Sequence, residues 1–262
     1  MSDYPSGYEP RLFIANEVEK CGAQVTFDSP VVKWDGEDRE LPGFYANGKR
    51  IIYLLDNRMP YLQWQTEAAL KASKSKNTFV FCAQKKDADA HKKFHWLPLA
   101  ITPGYIHKHG FAGYDFSFVG YLNDKPRQAL MERVQSKYEG NIQSGVFAEA
   151  AIDVYITGRI GLNIPAYIGG KYAHDINMRV FEIAGLKLPL LTADQPGMTD
   201  LGFVQGRNCL MYKNGVELML LMEILLNNEP LRLSIAQAGY DLVTREHTYA
   251  HRARQLLNIL EG

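Results

Sequence analysis

The stretch "NMRVFEIAGLKLPLLT", Asn177 to Thr192, decides how the chain folds. Arg179 and Glu182 stand three apart inside an otherwise apolar strip, so on a helix they share a face. Directly after Gly185, "LKLPLLT" reads as a short buried strand. A helix running straight into a buried strand is the repeating unit of α/β proteins. The charged pair at the helix start therefore needs a reason to be there.

Working outward, the same alternation continues. "YDFSFVGYLN" reads as a strand and "DKPRQALMERVQSKY" as a helix with Pro126 in its first turn. "RIGLNI" and "NCLMYKN" supply further strands, and "VELMLLMEILLNN", "EPLRLSIAQAGYDLVTRE" and "TYAHRARQLLNILEG" supply helices. Upstream, "EPRLFIANEVEKCG" is helical and ends on Gly22, followed by the strand "AQVTFDS". "KRIIYLLDN" is a continuous apolar run, the mark of a strand buried on both faces. "PYLQWQTEAALKAS" is helical, "NTFVFCA" a strand, "QKKDADAHKKF" a short polar helix or loop, and "HWLPLA" closes this half. "PGYIHKHGFAGY", from Pro103 to Tyr114, breaks the rhythm and marks a seam. The expected architecture is α/β, with two Rossmann-type lobes and parallel sheets, over residues 1–108 and 109–262. The N-terminal lobe is abbreviated, since a helix precedes its first strand.

With 262 residues the chain has room for one large or two compact domains. Lysine plus arginine and aspartate plus glutamate number 29 each, so net charge gives no vote for nucleic acid or membrane. Three widely spaced cysteines, Cys21, Cys82 and Cys209, fit reduced thiols in a cytoplasmic protein better than a disulfide framework or a zinc knuckle. The polar opening "MSDYPSGYEP" has no signal-peptide pattern, and the longest apolar stretch contains Glu217 and Glu223 and is too short to span a bilayer.

Open parallel sheets take ligands at the carboxyl ends of their strands, and phosphates favour helix N-termini. Two places fit. Gly120 ends a strand with Arg127 in the next helix's first turn. In the opening stretch, Arg179 could neutralise a diphosphate held by backbone N–H groups while Glu182 accepts bonds from ribose hydroxyls. The alternative is an ordinary Arg179–Glu182 ion pair at a helix end, and spacing does not choose between them. Asp56, ending "RIIYLLD", is the carboxylate placed by pattern for a general base, or else it caps a turn. The "DAD" of Asp87–Asp89 mimics a metal-binding motif, and His91/His95 and His247/His251 have ligand spacing. None has an evident further ligand, so no metal is expected. "HTYAHR" starts the last helix, with Thr248 as cap and Leu256, Leu257 and Leu260 turned inward.

Taken in order, "YDFSFVGYLN", "YITGRIGLNI", "DINMRVFEIAGLKLPLLT", "YKNGVELMLLMEILLNNEPLRLSIAQAGYDLV" and "HTYAHRARQLL" resemble the C-terminal half of GT-B glycosyltransferases. The resemblance is to the CgeB-like group, named for spore-maturation proteins, and is strong from about Tyr114 to Leu260. It implies a cytoplasmic hexosyl- or pentosyltransferase that uses a nucleotide-sugar as co-substrate, without other cofactor or metal. In this family an E-x7-E motif contacts the donor. The second glutamate falls on Glu182, and the first falls on His174, with Asp175 beside it, which departs from the pattern. By the same resemblance Gly120, Tyr121 and Asn123 line the cleft near the phosphates, and Asn163 ends its strand there. Arg179 stabilises the leaving diphosphate and Asp56 faces the acceptor.

In this fold the N-terminal lobe binds the acceptor. Its run of Lys74, Lys76, Lys85, Lys86, Lys92 and Lys93 would suit an anionic polymer, DNA included, as in phage enzymes that glycosylate modified bases. The competing class is a non-catalytic binding or scaffold protein that kept the fold. Homo-oligomerisation is left open by the sequence.

Overall fold

The computed structural model describes residues 9–55, 63–101, 105–106, 113–168, 171–172 and 176–262. The chain forms two compact units: Met1–Leu99 with Tyr249–Gly262, and Ala100–Thr248.

The first unit opens with α1 (Pro10–Lys20), which has proline in its first turn and is closed by Gly22 at φ +92°. There follow β1 (Val25–Thr26), β2 (Val31–Trp34), β3 (Glu37–Glu40), β4 (Gly43–Ala46), β5 (Lys49–Leu54), α2 (Gln63–Ala72), β6 (Thr78–Cys82), α3 (Lys85–Asp89) and β7 (Phe94–Trp96). The main sheet has the order β1-β4-β5-β6-β7. From β5 to β7 it is parallel, but β1–β4 and β4–β5 pair antiparallel. The sequence reading expected parallel sheets throughout, so this sheet corrects it. The reason is local. Asn47 and Gly48 both have positive φ, +50° and +71°, as a two-residue hairpin turn requires, and this forces β4 back along β5. Asp35 and Gly36, at +51° and +81°, do the same for the separate β2–β3 hairpin. On β5 the alternation sends Ile52 and Leu54 into a core with Ala68 and Ala69 of α2 and Val80 and Cys82 of β6.

The second unit contains β8 (Phe116–Val119), α4 (Lys125–Gln135), β9 (Gly140–Gln143), α5 (Ala148–Tyr155), β10 (Gly161–Asn163), the small β11–β12 pair (Tyr167–Ile168, Lys171–Tyr172), α6 (Met178–Gly185), β13 (Leu190–Ala193), β14 (Leu210–Tyr212), α7 (Gly215–Asn227) and α8 (Glu229–Glu246). Its sheet is parallel throughout, in the order β14-β13-β10-β8-β9. β8, β10 and β13 are buried along their whole lengths, as strands covered on both faces must be. From β8 the chain moves first to β9 on one side and then to β10 on the other. The carboxyl ends of β8 and β10 therefore flank the topological switch point.

The last helix, α9 (Tyr249–Glu261), belongs to the first unit, whereas the expected division at 108/109 gave it to the second. It buries Tyr249, Arg252, Ala253, Leu256 and Leu260, a helical stripe, and Tyr249 packs its ring 5.2 Å from that of Phe13 on α1. Arg252 clamps the end of the first unit: Nε donates to Pro98 O at 2.8 Å and Nη2 to Leu99 O at 3.1 Å. Burial pushes its pKa down to about 10, which leaves it protonated at neutral pH. Gln255 Nε2 donates to Trp96 O at 3.0 Å, and Lys49 Nζ donates to Leu260 O. Removing the clamp strands two carbonyls, so Arg252→Ala should cost about 3 kcal/mol in urea unfolding. A loss below about 1 kcal/mol would mean that these charged hydrogen bonds contribute little beyond packing.

Candidate functional site at the carboxyl edge of the second sheet

The site begins where β8 stops. After Val119 and Gly120 the chain reaches Asp124, whose Oδ1 accepts from the Arg127 N–H at 2.8 Å and caps α4. The Arg127 side chain turns inward, only 5% exposed. Its Nη2 donates to Ile164 O at 2.7 Å and its Nη1 to Tyr121 O, so it ties the β8 loop to the segment after β10. Tyr121 and Asn123 stand exposed on that loop.

At the other side of the switch point, α6 starts after Asn177. The Asn177 side chain makes no cap hydrogen bond to its own helix. Instead Nδ2 donates to Asn163 Oδ1 at 3.2 Å, and Oδ1 accepts from Arg179 Nε at 3.4 Å. Asn163, 1% exposed at the end of β10, in turn donates from Nδ2 to Thr192 Oγ1 on β13 at 3.0 Å. Its backbone oxygen accepts from the Tyr212 hydroxyl of β14 at 2.9 Å. Arg179 completes the chain by donating from Nη1 to Val119 O at 2.9 Å, with its guanidinium 5.6 Å from the Phe118 ring centre. One polar network thus joins the ends of β8, β10, β13 and β14 to the N-terminus of α6. Because Asn177 is spent sideways, the first N–H groups of that helix are not capped by it.

Arg179 makes no ion pair among the described residues, so the simple Arg179–Glu182 pair is not what holds this helix end. Glu182 is buried, 5% exposed, one turn further along α6. Beneath it lies the Tyr155 hydroxyl from α5, fully buried. Burial first, and then the Glu182 charge, push the Tyr155 pKa well up, while Arg179 and Arg127 pull it back. The four groups share one low-dielectric neighbourhood in which an incoming anion would meet two guanidinium charges.

Of the residues expected at the site, Gly120, Asn163, Arg179 and Glu182 come together at this edge, with Tyr121 and Asn123 on the adjoining loop. Asp56, His174 and Asp175 lie outside the described residues. Asn177, Thr192, Tyr212 and Tyr155 were not anticipated; only Asn177 carried a signal, as a capping-type residue before a helix. The other motifs fall elsewhere. Asp89 pairs with Lys85 at 2.7 Å on α3, and His247 is buried, bonding Leu201 O through Nε2 at 2.8 Å and stacking on Phe203. Gly120 is set by contact. A Cβ there would collide with Arg179 Nη1 and lie 3.1 Å from Arg127 Nη2. Since a guanidinium tip can swing away, Gly120→Ala should fold with nearly unchanged melting temperature but displace Arg179. Loss of anion binding at this edge in the folded variant, followed by titration calorimetry, checks it. Full retention would remove Arg179 from the site.

Residues 108–258 match the glycosyl transferase-like family, and the chain belongs to it. No curated protein sequence matches. Solved structures similar in fold include a mutant TarM from S. aureus in complex with Fondaparinux, alpha-GlcNAc-glycerol and UDP, at 12% identity and TM-score 0.55, over 80% of this chain and 50% of that one. A second TarM structure matches at 11% identity and TM-score 0.55, over 82% and 51%. Sucrose-phosphate synthase from Thermosynechococcus elongatus matches at 10% and TM-score 0.54, over 78% and 64%. The fold is that of GT-B glycosyltransferases, with Rossmann-like lobes. The chain spans about half the length of the TarM structures. Among the described residues no helix is long and apolar enough to cross a membrane.

Proposed function

We propose that the chain transfers a hexosyl or pentosyl group from a nucleotide-sugar to an acceptor, as a metal-independent, CgeB-like member of its family. The observation that carries this reading is Arg179. Its guanidinium lies at the switch point, bonded only to Val119 O and Asn177 Oδ1, beside a helix start that Asn177 leaves uncapped. The reaction breaks the bond between the anomeric carbon and the diphosphate and forms one to an acceptor oxygen. Negative charge accumulates on the leaving diphosphate. Arg179 and the α6 N–H groups meet that charge, while Glu182 accepts bonds from the ribose hydroxyls. Asp56 is the proposed base for the acceptor proton, and His174 or Asp175 the group beside the sugar.

TarM was crystallised with UDP, which makes uridine the first base to test. A nucleoside diphosphate at about 100 times its dissociation constant should stabilise the fold by roughly 2.7 kcal/mol, read as a rise in melting temperature. The rise should shrink in Glu182→Gln. In Arg179→Gln, turnover should fall by about 100-fold, as for other lost donors to a developing anion. No shift with any diphosphate, from folded protein, would overturn this reading. A second reading, a nucleotide-binding module without turnover, is favoured by His174 standing where the family has a glutamate. It predicts the shift in melting temperature without slow hydrolysis of the sugar nucleotide.

A further inference from the structure

The amino edge of the first unit's sheet concentrates cations. Strands β5, β6 and β7 run parallel, so their starting ends lie side by side, about 5 Å apart. Arg50 begins β5, Lys74 and Lys76 lead into β6, and Lys92 and Lys93 lead into β7. The three approaches are tied together. The Arg50 N–H donates to Asn77 O at 2.8 Å, and Lys93 Nζ donates to Ser73 O at 2.9 Å. Lys71, closing α2, adds its ammonium 4.3 Å above the Trp34 ring, not against Glu67 one turn back.

Between Glu67 and Asp87 the sequence contains no carboxylate. The acids that come near have partners of their own: Asp89 binds Lys85 at 2.7 Å, Asp38 binds Lys33 at 3.3 Å and Glu37 binds Arg39 at 3.6 Å. Into this edge opens a cavity of about 260 Å³, with Val32, Ala68 and Ala72 as its floor and Lys33, Arg50 and Lys71 around its rim. Alternation along β5 puts Arg50 on the same face as Ile52 and Leu54, which turns its guanidinium into the cavity wall. It makes no ion pair among the described residues.

We propose that this edge is a docking surface for a linear phosphodiester polymer, with one phosphate seated in the cavity against Arg50 and its neighbours along Lys71, Lys74, Lys76 and Lys92. The cavity favours a chain over a membrane. A planar headgroup layer would touch the outer lysines but not a half-buried arginine in a recess, whereas a flexible chain reaches both. The edge is opposite to the carboxyl ends of these strands, where an α/β sheet takes its small ligands. The surface therefore holds the polymer without occupying that crevice, and raises the local concentration of whatever acceptor groups the polymer carries. The inference does not depend on sugar transfer, because binding needs neither donor nor turnover.

The test is fluorescence anisotropy with a fluorescein-labelled oligothymidylate of about 20 nucleotides, a plain phosphodiester chain with little base structure. If about four phosphates are neutralised, the log–log salt slope is near −3, and raising salt from about 50 to 300 mM weakens binding about 150-fold. Arg50→Gln should weaken binding about tenfold at low salt. The triple variant Lys74→Glu, Lys76→Glu, Lys92→Glu, at exposed positions, should abolish binding with an unchanged melting temperature. The pair Lys187→Glu, Lys213→Glu in the second unit should bind as wild type. No binding at low salt, or equal losses in the second-unit control, would falsify the proposal. Sedimentation with anionic phospholipid vesicles, without oligonucleotide binding, would replace the polymer with a membrane.

Discussion

The hydrogen-bond chain from Thr192 through Asn163 and Asn177 to Arg179 and Val119 is the constraint on which the second unit's chemistry depends. Each link joins a different element: β13, β10, the start of α6 and the end of β8. An arginine side chain carries several rotatable bonds and loses considerable entropy when fixed. Here the cost of holding Arg179 is met by two hydrogen bonds and the Phe118 face, before any ligand arrives. A guanidinium already oriented needs no reorganisation when negative charge develops beside it, which is what electrostatic catalysis requires. Asn177 is the pivot. By giving up its capping bond it both fixes Arg179 and leaves helix donors for an anion.

Packing sets the same geometry from below. A Cβ at Gly161 would lie 3.0 Å from Ile183 Cγ1 and closer still to Cγ2, so α6 rests directly on β10. With that distance fixed, the helix start lies level with the strand ends, and Asn177 reaches Asn163. Arg127 performs a related task with no free role in chemistry: buried and bonded to Ile164 O and Tyr121 O, it fixes the loop on which Tyr121 and Asn123 stand. Two arginines at one edge thus divide the work, one structural and one turned to the crevice.

Much of this was legible in the sequence because the signals are local. The helix and strand of the opening stretch, Pro126 in the first turn of α4 and the buried runs of β8 and β13 all follow from periodicity and capping. The hairpins at Asp35–Gly36 and Asn47–Gly48 carry a strong turn signal as well, yet the alternating rhythm hid them, and the first sheet was expected to be parallel. The strand β9 and helix α5 escaped because "GNIQ" is polar and short and "AEAAIDVY" is brief. The assignment of α9 was beyond reach for a different reason. Its apolar stripe says that it packs, but not on what; only Arg252 meeting Pro98 O and Leu99 O, far away in sequence, answers that. Likewise the Arg179–Glu182 spacing allowed an ion pair, and it took the Asn163–Asn177 bond, a contact between distant segments, to show where the arginine goes.

Charge teaches the same lesson in another form. With 29 cations and 29 anions the chain is neutral, and composition alone excludes a polyanion partner as readily as it suggests one. Electrostatic attraction at physiological salt is felt over roughly 8 Å, so what matters is the balance within that radius, not over the molecule. Parallel topology is what sets the local balance here. It brings the approaches to β5, β6 and β7 to one edge although more than 20 residues separate the first from the second along the chain. The acids nearest to them, Asp38 and Asp89, are taken up by Lys33 and Lys85. A lysine-rich segment that is only a solvated face would be expected to intersperse its acids among its cations on the folded surface. This one segregates them, and the segregation is a property of the fold that no sum over the sequence contains.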